Sequence, residues 1–494
     1  MTPPNATVMA RPSSVRYQGL AFAIVTAILA GAAFAPTLSL LGIGSLLALA
    51  AAGYFIFQLV DGNADLIVLL WVGLSPLGYY FLTFPREGGI FTFDRAAILM
   101  LAAAIVLCPR GQRTAIPDDL RKTALVWIIF LVAALLSVVN VGDIRLSVRM
   151  WLEVFVFPAI LGWYVIACFP VRKYLRLMHG LACVAAIYSA AIGVAEVYLG
   201  RDLLPLPGAG ETFAGGQDVL ILRVNGPYSS NNSYGLIGLV SFCLIWFLRS
   251  AIAGRMPGWQ KLLNVIGITA ALTAAMLPLF RSIALTIACI LVVDLFRRLT
   301  VGQRALRLSV LALMGAGVLA VMISVPELFE ERVSQAGNIY ARMAQQKQNL
   351  QLFVDHPVLG VGLNNFHLAA TTSAAARLSY DSTPALDYPH SNVGAVLAET
   401  GLVGFVPFAM SQVLLVMAFW KLRRSALPGR RLSWTFFVYV FLSYWISGLA
   451  LTSGYYSDLN LWYIFCLAVI YKYGITDELR NGAPSALDGL KAGA

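Results

Sequence analysis

Two arginines and one histidine are the residues of this sequence best suited to binding an anion and moving a proton. Arg223 opens "RVNGPYSSNNSYG", Arg281 interrupts "AAMLPLFRSIALTIACI", and His390 stands in "LDYPHSNVGAVLAETGLVG". A guanidinium stays charged and donates two parallel hydrogen bonds, which makes arginine a natural partner for a phosphate or pyrophosphate. His390 precedes an apolar run in which Ser391 or Asn392 can cap a helix. The positive field of a helix N-terminus favours the neutral imidazole that a general base requires.

Each of these residues also has a structural interpretation. Arg281 either faces a cavity or an anion, or lies at a hairpin tip where its guanidinium reaches the lipid headgroups. A single histidine is more often structural than catalytic. Glu399 lies within an apolar span, so we expect it to pair or hydrogen-bond inside a helix bundle. Further arginines on the same side could join the site or contact headgroups: Arg86, Arg95, Arg145, Arg149, Arg332 and Arg342.

The sequence gives no sign of a metal or nucleotide site. The histidines form no HxxxH pair, and Gly360-Val361-Gly362 is an isolated GxG that lacks the rest of a phosphate-binding loop. No cluster of carboxylates suits a hard cation. We therefore expect no metal and no cofactor.

The composition requires that these residues be positioned by membrane helices. Of 494 residues, 59% are hydrophobic and 12% charged, with a mean hydropathy of +0.77. A span of about 20 apolar residues crosses a bilayer, so the sequence predicts an all-α polytopic membrane protein of about fourteen transmembrane helices. The predicted helices centre roughly on residues 18–35, 38–60, 64–82, 92–108, 123–140, 150–168, 177–199, 231–248, 262–280, 282–296, 308–326, 393–420, 433–451 and 458–474.

The distribution of lysine and arginine predicts the orientation of these helices. The net charge of +11 does not indicate nucleic acid, because basic residues in a membrane protein first report topology. Most of the 35 lysines and arginines fall in alternate connections, which predicts cytoplasmic N- and C-termini. The first helix resembles a signal sequence ending in "AFA", and we expect it to be retained as an uncleaved anchor.

This topology divides the chain into helices one to eleven (1–326), a large periplasmic loop (327–392), helices twelve to fourteen (393–474) and a cytoplasmic tail (475–494). In the large loop, Ile339, Met343, Leu350 and Phe353 recur at helical spacing. They predict an amphipathic helix that either lies at the membrane surface or packs on the tops of the bundle.

The motifs together resemble the O-antigen ligase / O-antigen (exopolysaccharide) polymerase family of Wzy-type membrane glycosyltransferases. "DHPVLGVGLNNF" (355–366), "YPHSN" (388–392) and "LAETGLVGF" (397–405) are similar to the family's HPxxGxGxxxF, histidine-asparagine and ExGxxG segments. "RVNGPYSSNN" and "FRSIA" resemble its Arg-x-x-Gly and Ser-Arg-x-Ala segments. Phe280 stands where the family usually has serine, and Tyr388 stands where a first histidine often precedes the second.

The resemblance implies a metal-independent, inverting transfer of a glycan from an undecaprenyl-pyrophosphate carrier to an acceptor hydroxyl at the periplasmic face. It places Arg223 and Arg281 on the pyrophosphate and His390 as general base or acceptor-positioning residue. Supporting residues would be Arg342, Asn392, Glu399 and Asn232. The implied partners are the lipid-linked glycan donor, an acceptor glycan or lipid-linked oligosaccharide, membrane lipids and other polysaccharide-assembly proteins.

Two questions stay open in the sequence. The shared motifs do not separate a polymerase of lipid-linked repeat units from a ligase that attaches polymer to lipid A-core, although the span number favours a polymerase. A transporter or flippase of lipid-linked sugars is the alternative of another class. It predicts a chain of polar residues continuing to the cytoplasmic side, and the inner halves of the helices contain few such charges.

Overall fold

The computed structural model describes residues 64–78, 80–84, 91–107, 114–204, 213–214, 221–252, 254, 256–295, 305, 308–309, 312, 336–373, 378–385, 388–449 and 451–476. The predicted spans 18–35 and 38–60, nearly all of 308–326, Arg86, Arg332 and the tail beyond residue 476 lie outside these residues.

The described chain is mostly helical. The helices are α1 (Asp65–Leu74), α2 (Phe93–Leu107), α3 (Asp118–Ser137), α4 (Ile144–Met150), α5 (Phe157–Ala167), α6 (Val171–Leu199), α7 (Asn231–Ala251), α8 (Gly258–Met276), α9 (Arg281–Leu295), α10 (Ala336–Asp355), α11 (Phe366–Thr372), α12 (Asn392–Arg423), α13 (Pro428–Gly448) and α14 (Ser457–Thr476). Short 3-10 turns cover Ser75–Leu77, Val138–Asn140 and Ser453–Tyr455, and a π-helical stretch covers Trp151–Val156.

The described strands form three two-residue antiparallel hairpins. They pair β1 (Thr83–Phe84) with β2 (Phe91–Thr92), β3 (Phe213–Ala214) with β4 (Ile221–Leu222), and β5 (Ser379–Tyr380) with β6 (Thr383–Pro384). All three lie in connections at one end of the helix bundle. At this end α6 and α13 finish and α7, α9, α12 and α14 begin; we call it the His390 end.

Six helical segments in the described part of the chain are long and apolar enough to cross a membrane. They are Asp118–Asn140, Ile144–Ala167, Val171–Leu199, Asn231–Ala251, Asn392–Arg423 and Ser457–Thr476. The chain is therefore an integral membrane protein, and the predicted all-α polytopic class is confirmed. The number of fourteen spans and the placement of the large loop stay predictions.

α14 is, with α6 and α7, one of the most buried long helices of the described bundle, and α3 and α12 lie toward its outside. In α14, 83% of the most apolar stretch is buried, against 39% in α3 and 33% in α12. Trp462 of α14 packs against Trp71 with ring centroids 5.4 Å apart. A helix that is apolar on all sides is stable only when neighbours or lipid surround it, and α14 has neighbours.

The π-helical stretch joins α4 to α5 in one continuous helical segment, which is longer than the helix predicted there. The predicted span 150–168 begins instead at Ile144, where Asp143 caps α4 by accepting a hydrogen bond from the Leu146 N–H at 3.0 Å. A π-turn leaves a backbone carbonyl without its usual helical partner. The Asn460 side chain of α14 donates to the carbonyl of Val154, within this stretch, at 3.3 Å.

α12 is two helices separated by a break at Gly401, whose φ of 58° and ψ of −162° are not helical. The segment 357–362 fills the break. Its Val361 and Gly362 N–H groups donate to the carbonyls of Ala398 and Glu399 at 2.9 and 3.0 Å, and the Leu402 N–H donates to the Pro357 carbonyl at 2.9 Å. Broken backbone within a membrane protein needs such partners, because lipid offers none.

Candidate functional site

His390 is held in a strained backbone conformation by α10. Its φ is 41°, a region that few side chains other than Asn, Asp and His adopt. Buried amides of α10 fix the two residues before it. Gln345 Nε2 donates to the Tyr388 carbonyl at 2.9 Å, and Asn349 Nδ2 donates to the Pro389 carbonyl at 3.1 Å. Strain of this kind persists only where the surroundings enforce it, and it is common at functional sites.

The N-cap predicted after His390 is present. Ser391 Oγ accepts a hydrogen bond from the Gly394 N–H at 3.2 Å, which starts α12 immediately after the histidine. Burial, and to a lesser extent the nearby charge of Arg342, lower the pKa of His390 to about 4. The imidazole is therefore neutral at pH 7, and its buried Nδ1 has no hydrogen-bond partner among the described residues. A neutral ring with an uncommitted nitrogen can accept a proton.

The charge of Arg342, on α10, acts on His390, and the charge of Arg223 acts on Arg342. Burial and then the charge of Arg223 lower the pKa of Arg342, so its guanidinium is influenced by a second guanidinium as well as by its own desolvation. Arg342 Nη1 is buried and has no hydrogen-bond partner within the described chain. Two neighbouring cations, one with an unsatisfied buried donor, form a place where an anion is stabilised. We call these three residues the Arg223–Arg342–His390 cluster.

Arg281 lies at the turn between α8 and α9 and is exposed. Its neighbours connect it to the cluster. The ring of Phe280 lies 6.0 Å from Arg223 Cζ, and Ser282 Oγ lies 3.4 Å from Ser447 Oγ. The next residue after Ser447, Gly448, packs directly on Asn392, where an added Cβ would stand 2.3 Å from Nδ2. The structure thus places Arg281 at the His390 end, at a hairpin turn.

Asn392 and Asn232 meet at the turn formed by residues 453–458, which we call the 453–458 turn. Asn392 Nδ2 donates to Ser453 Oγ at 2.8 Å, and its Oδ1 accepts from the Gly454 N–H at 2.7 Å. Asn232 Nδ2 donates to Tyr456 Oη at 2.8 Å. The two asparagines therefore fasten the starts of α12 and α7 to one short turn.

Glu399 joins the same turn to the segment that fills the break in α12. Its side chain is buried and accepts hydrogen bonds from the backbone N–H groups of Asn364 at 2.9 Å and Phe366 at 3.2 Å, and from the Tyr455 hydroxyl. The hydrogen bonding expected for this carboxylate is therefore present. Its position fits a structural support for the site, since its partners are backbone groups and a buried tyrosine.

Two carboxylates that the sequence analysis did not select hold the loop that carries Arg223. Glu196 Oε2 accepts from the Gly226 N–H at 2.8 Å. Asp458 Oδ2 accepts from the Ser229 N–H at 2.9 Å, and its Oδ1 accepts from Ser233 Oγ at 2.5 Å. The available signal was a carboxylate in or beside an apolar helix, which rarely occurs without a partner.

Two of the remaining arginines belong to an ion pair and not to the cluster. Arg95 and Arg149 both contact Glu153, Arg149 through Nε at 3.0 Å. Arg145 lies on α4 and is exposed.

An apolar cavity of about 480 Å³ lies beside the 453–458 turn, between α3, α5, α12 and α14. Asn392, Tyr455 and Asn460 line one part of it, and side chains such as Trp127 and Phe408 line the rest.

No group of three or more His, Cys, Asp and Glu side chains within the described residues could hold a metal ion.

Residues 262–409 match the model of a protein family described as O-Antigen ligase. The match contains Arg281, Arg342, His390, Asn392 and Glu399, whereas Arg223 and Asn232 precede it. The family resemblance drawn from the motifs is confirmed over these residues. No curated protein matches the chain.

Proposed function

We propose that this integral membrane protein, which carries an O-antigen ligase domain at residues 262–409, transfers a glycan from undecaprenyl-pyrophosphate to an acceptor hydroxyl. The domain supports ligase- or polymerase-type activity in general. The donor, the inverting course and the roles below are our proposal, and polymerisation of lipid-linked O-antigen or exopolysaccharide repeat units is the form that we favour.

The Arg223–Arg342–His390 cluster is the observation that carries this proposal. Two guanidiniums, one of which acts electrostatically on the other and one of which has a buried and unsatisfied Nη1, favour a ligand with more than one negative charge. A pyrophosphate is such a ligand. The imidazole next to them is neutral and able to accept a proton, which matches the second requirement of the reaction.

In the proposed reaction, His390 takes the proton of the acceptor hydroxyl as its oxygen attacks the anomeric carbon of the donor sugar. The bond between that carbon and the pyrophosphate oxygen breaks, and its electron pair leaves with the pyrophosphate. Arg223, Arg281 and Arg342 stabilise the negative charge that develops there. Attack on the face opposite the leaving group inverts the anomeric configuration.

The apolar cavity beside the 453–458 turn supports a lipid-linked donor. Its polar lining, which includes Asn392 and Tyr455, belongs to the same network that positions His390, and the rest is apolar. An isoprenoid chain could therefore extend from the cluster into a hydrocarbon-like space without exposing its carbon atoms to water.

We propose that the His390 end faces the periplasm of the inner membrane. The basic helix ends support this orientation, because Arg172, Arg249 and Lys421 all lie at helix ends opposite the His390 end. The N- and C-termini would then be cytoplasmic.

The acceptor separates the two versions of this function. A polymerase adds the growing chain to another lipid-linked repeat unit, and a ligase adds it to lipid A-core. The matched family is described as O-Antigen ligase, which is consistent with the second version. A flippase would need the same anion site but no proton acceptor.

The test is an analysis of lipid-linked glycans in a strain that lacks this gene and in strains carrying variants. Single repeat units on the carrier indicate a polymerase, long chains left on the carrier indicate a ligase, and material retained inside indicates a flippase. His390→Ala and Arg281→Ala should reproduce the deletion, and Arg201→Ala, which changes an exposed arginine at the same end, should not. Full glycan synthesis by both site variants would refute the proposal.

A further inference from the structure

Tyr388 presents an exposed aromatic ring directly beside His390. Its side chain is 59% exposed, and its ring centroid lies 6.4 Å from that of His390 with an interplanar angle of 72°. On another side it stacks on His367, with centroids 5.3 Å apart and planes only 19° from parallel. The three rings come from two chain segments that meet only in the folded protein.

Both of the stacked residues have fixed backbones. The Tyr388 carbonyl accepts the hydrogen bond from Gln345, and His367 follows Phe366, whose N–H donates to Glu399. A tyrosine on a flexible loop would have little preferred orientation. Here the backbone contacts and the stacked imidazole together define the plane of the Tyr388 ring.

We propose that the ring of Tyr388, backed by His367, binds a sugar ring of the glycan and positions it next to His390. The face of an aromatic ring is apolar and carries partial negative charge, whereas the C–H face of a pyranose is apolar and carries partial positive charge. The two surfaces therefore attract each other and exclude water. This inference rests on the proposed function, because glycan transfer is what brings a sugar to His390.

The sugar belongs either to the donor or to the acceptor, and both present the same C–H face. Transfer kinetics distinguish them, because loss of the platform raises KM for the substrate whose sugar binds there. The alternative to a sugar platform is an interfacial role, in which an exposed tyrosine only sits at the level of the lipid headgroups.

The experiment uses the full-length protein in lipid vesicles. The donor is the lipid-linked glycan extracted from the deletion strain, and KM and kcat are measured for donor and acceptor separately. Tyr388→Ala should raise one of the two KM values about three- to tenfold with a smaller change in kcat, whereas Tyr388→Phe should stay near wild type. Tyr388→Leu, which keeps an apolar side chain without a ring, should behave like Tyr388→Ala.

Variants of His367 test the support beneath the tyrosine ring. His367→Phe should retain the stacked support, and His367→Ala should raise the same KM by part of the increase seen in Tyr388→Ala.

The matched control is Tyr198→Ala, because Tyr198 is a tyrosine 89% exposed at the same end of the bundle. It should leave both KM values unchanged. If Tyr388→Leu keeps the wild-type KM values, the ring only occupies the interface and the inference is wrong.

A second measurement separates this inference from the proposed function. In the His390→Asn background, binding of the lipid-linked glycan is compared with binding of sugar-free undecaprenyl phosphate. Adding Tyr388→Ala should weaken only the first. Equal binding of the glycan with and without Tyr388 overturns the platform even if transfer is demonstrated. Absence of transfer by the wild-type protein counts against the proposed function and leaves this binding result to decide the platform.

Discussion

The Glu399 carboxylate accepts a hydrogen bond from the backbone N–H of Asn364 at 2.9 Å. These residues are 35 positions apart in the chain. Together with the contact to Phe366, this bond attaches the segment containing "HPVLGVGLNNF" to the half of α12 that follows His390. The two most distinctive motifs of the sequence are therefore one structural unit, whose role is to fix the backbone around the site.

Gly360→Ala and Gly401→Ala should strongly destabilise this unit. Both glycines have positive φ, and an added Cβ would stand 2.3 Å from Glu399 C in the first case and 2.3 Å from Val358 O in the second. The left-handed conformation costs roughly 1–2 kcal/mol for a non-glycine residue, and the backbone overlap adds about 1–3 kcal/mol. Thermal unfolding in detergent measures the loss.

The control for these variants is Gly200→Ala. Gly200 has a φ of +64° but no atom within 4 Å of an added Cβ, so only the conformational cost applies. Equal stability of Gly360→Ala and Gly200→Ala would contradict the close contact between the segment 357–362 and α12.

His390→Asn should remove catalysis and preserve the fold. Asparagine accepts a positive φ about as readily as histidine, so the backbone conformation can persist, but an amide cannot accept a proton at neutral pH. Loss of a general base typically lowers the rate by about 10²–10⁴-fold. Transfer assays in vesicles measure the rate, and elution from a sizing column reports the fold. A folded, fully active variant would exclude His390 as the base.

The fall of activity at low pH, which we call the acid limb of the pH profile, should occur far below the ordinary pKa of histidine. The folded pKa of about 4 means that the ring is neutral above that value and becomes protonated, and unable to accept a proton, as the pH falls through it. The value of kcat/KM, which reports the free enzyme, should therefore be level between about pH 5 and 7 and fall near pH 4. A limb near pH 6.5 would mean that His390 is not buried as described.

Arg342→Met should weaken donor binding and move this acid limb to higher pH. The substitution removes a charge that lowers the pKa of His390, while burial, the larger cause, remains. Loss of a charge-assisted hydrogen bond to the pyrophosphate should raise the donor KM by roughly 10- to 100-fold. Arg342→Lys keeps the charge and should keep the limb. An unchanged limb in Arg342→Met would show that the two groups are not coupled.

Asp458→Asn should displace the loop that carries Arg223. An amide offers one acceptor oxygen where the carboxylate accepts from the Ser229 N–H and hydroxyl and from the Ser233 hydroxyl. We expect a donor KM about tenfold higher with the protein still inserted. Asp355→Asn is the control, since Asp355 is exposed and accepts only a surface hydrogen bond from Gln351. Similar kinetics in the two variants would remove Asp458 from the support of the site.

Much of the candidate site could be selected from the sequence because charge is costly in an apolar chain. Four ionisable residues interrupt or border an apolar run: Arg223, Arg281, His390 and Glu399. Ionisable residues in such positions usually bind a ligand or have a protein partner. Arg342 was selected only as a supporting residue, and Glu196 and Asp458 were not selected. The electrostatic influence of Arg342 on His390 and of Arg223 on Arg342 depends on how α10 packs against the start of α12.

A helix is present where the sequence predicts an amphipathic one, and which of its faces meets the protein required the structure. α10 covers Ala336–Asp355, and Met343 and Leu350 of the predicted apolar stripe are 45% and 57% exposed. The buried face is formed by small and amide side chains, including Gln345 and Asn349, because these can donate to the carbonyls before His390. A helix pattern shows which residues share a face, and it does not show which face meets the protein.

The sequence by itself determined the class of the protein, the approximate positions of its long helices and the residues able to bind an anion or accept a proton, because hydropathy and charge are local properties. The tertiary structure decided which of these residues meet. Arg223, Arg342 and His390 are distant in the chain, and the break at Gly401 exists only because the segment 357–362 supplies its hydrogen bonds. Long-range contacts of this kind depend on packing geometry, which no single stretch of sequence contains.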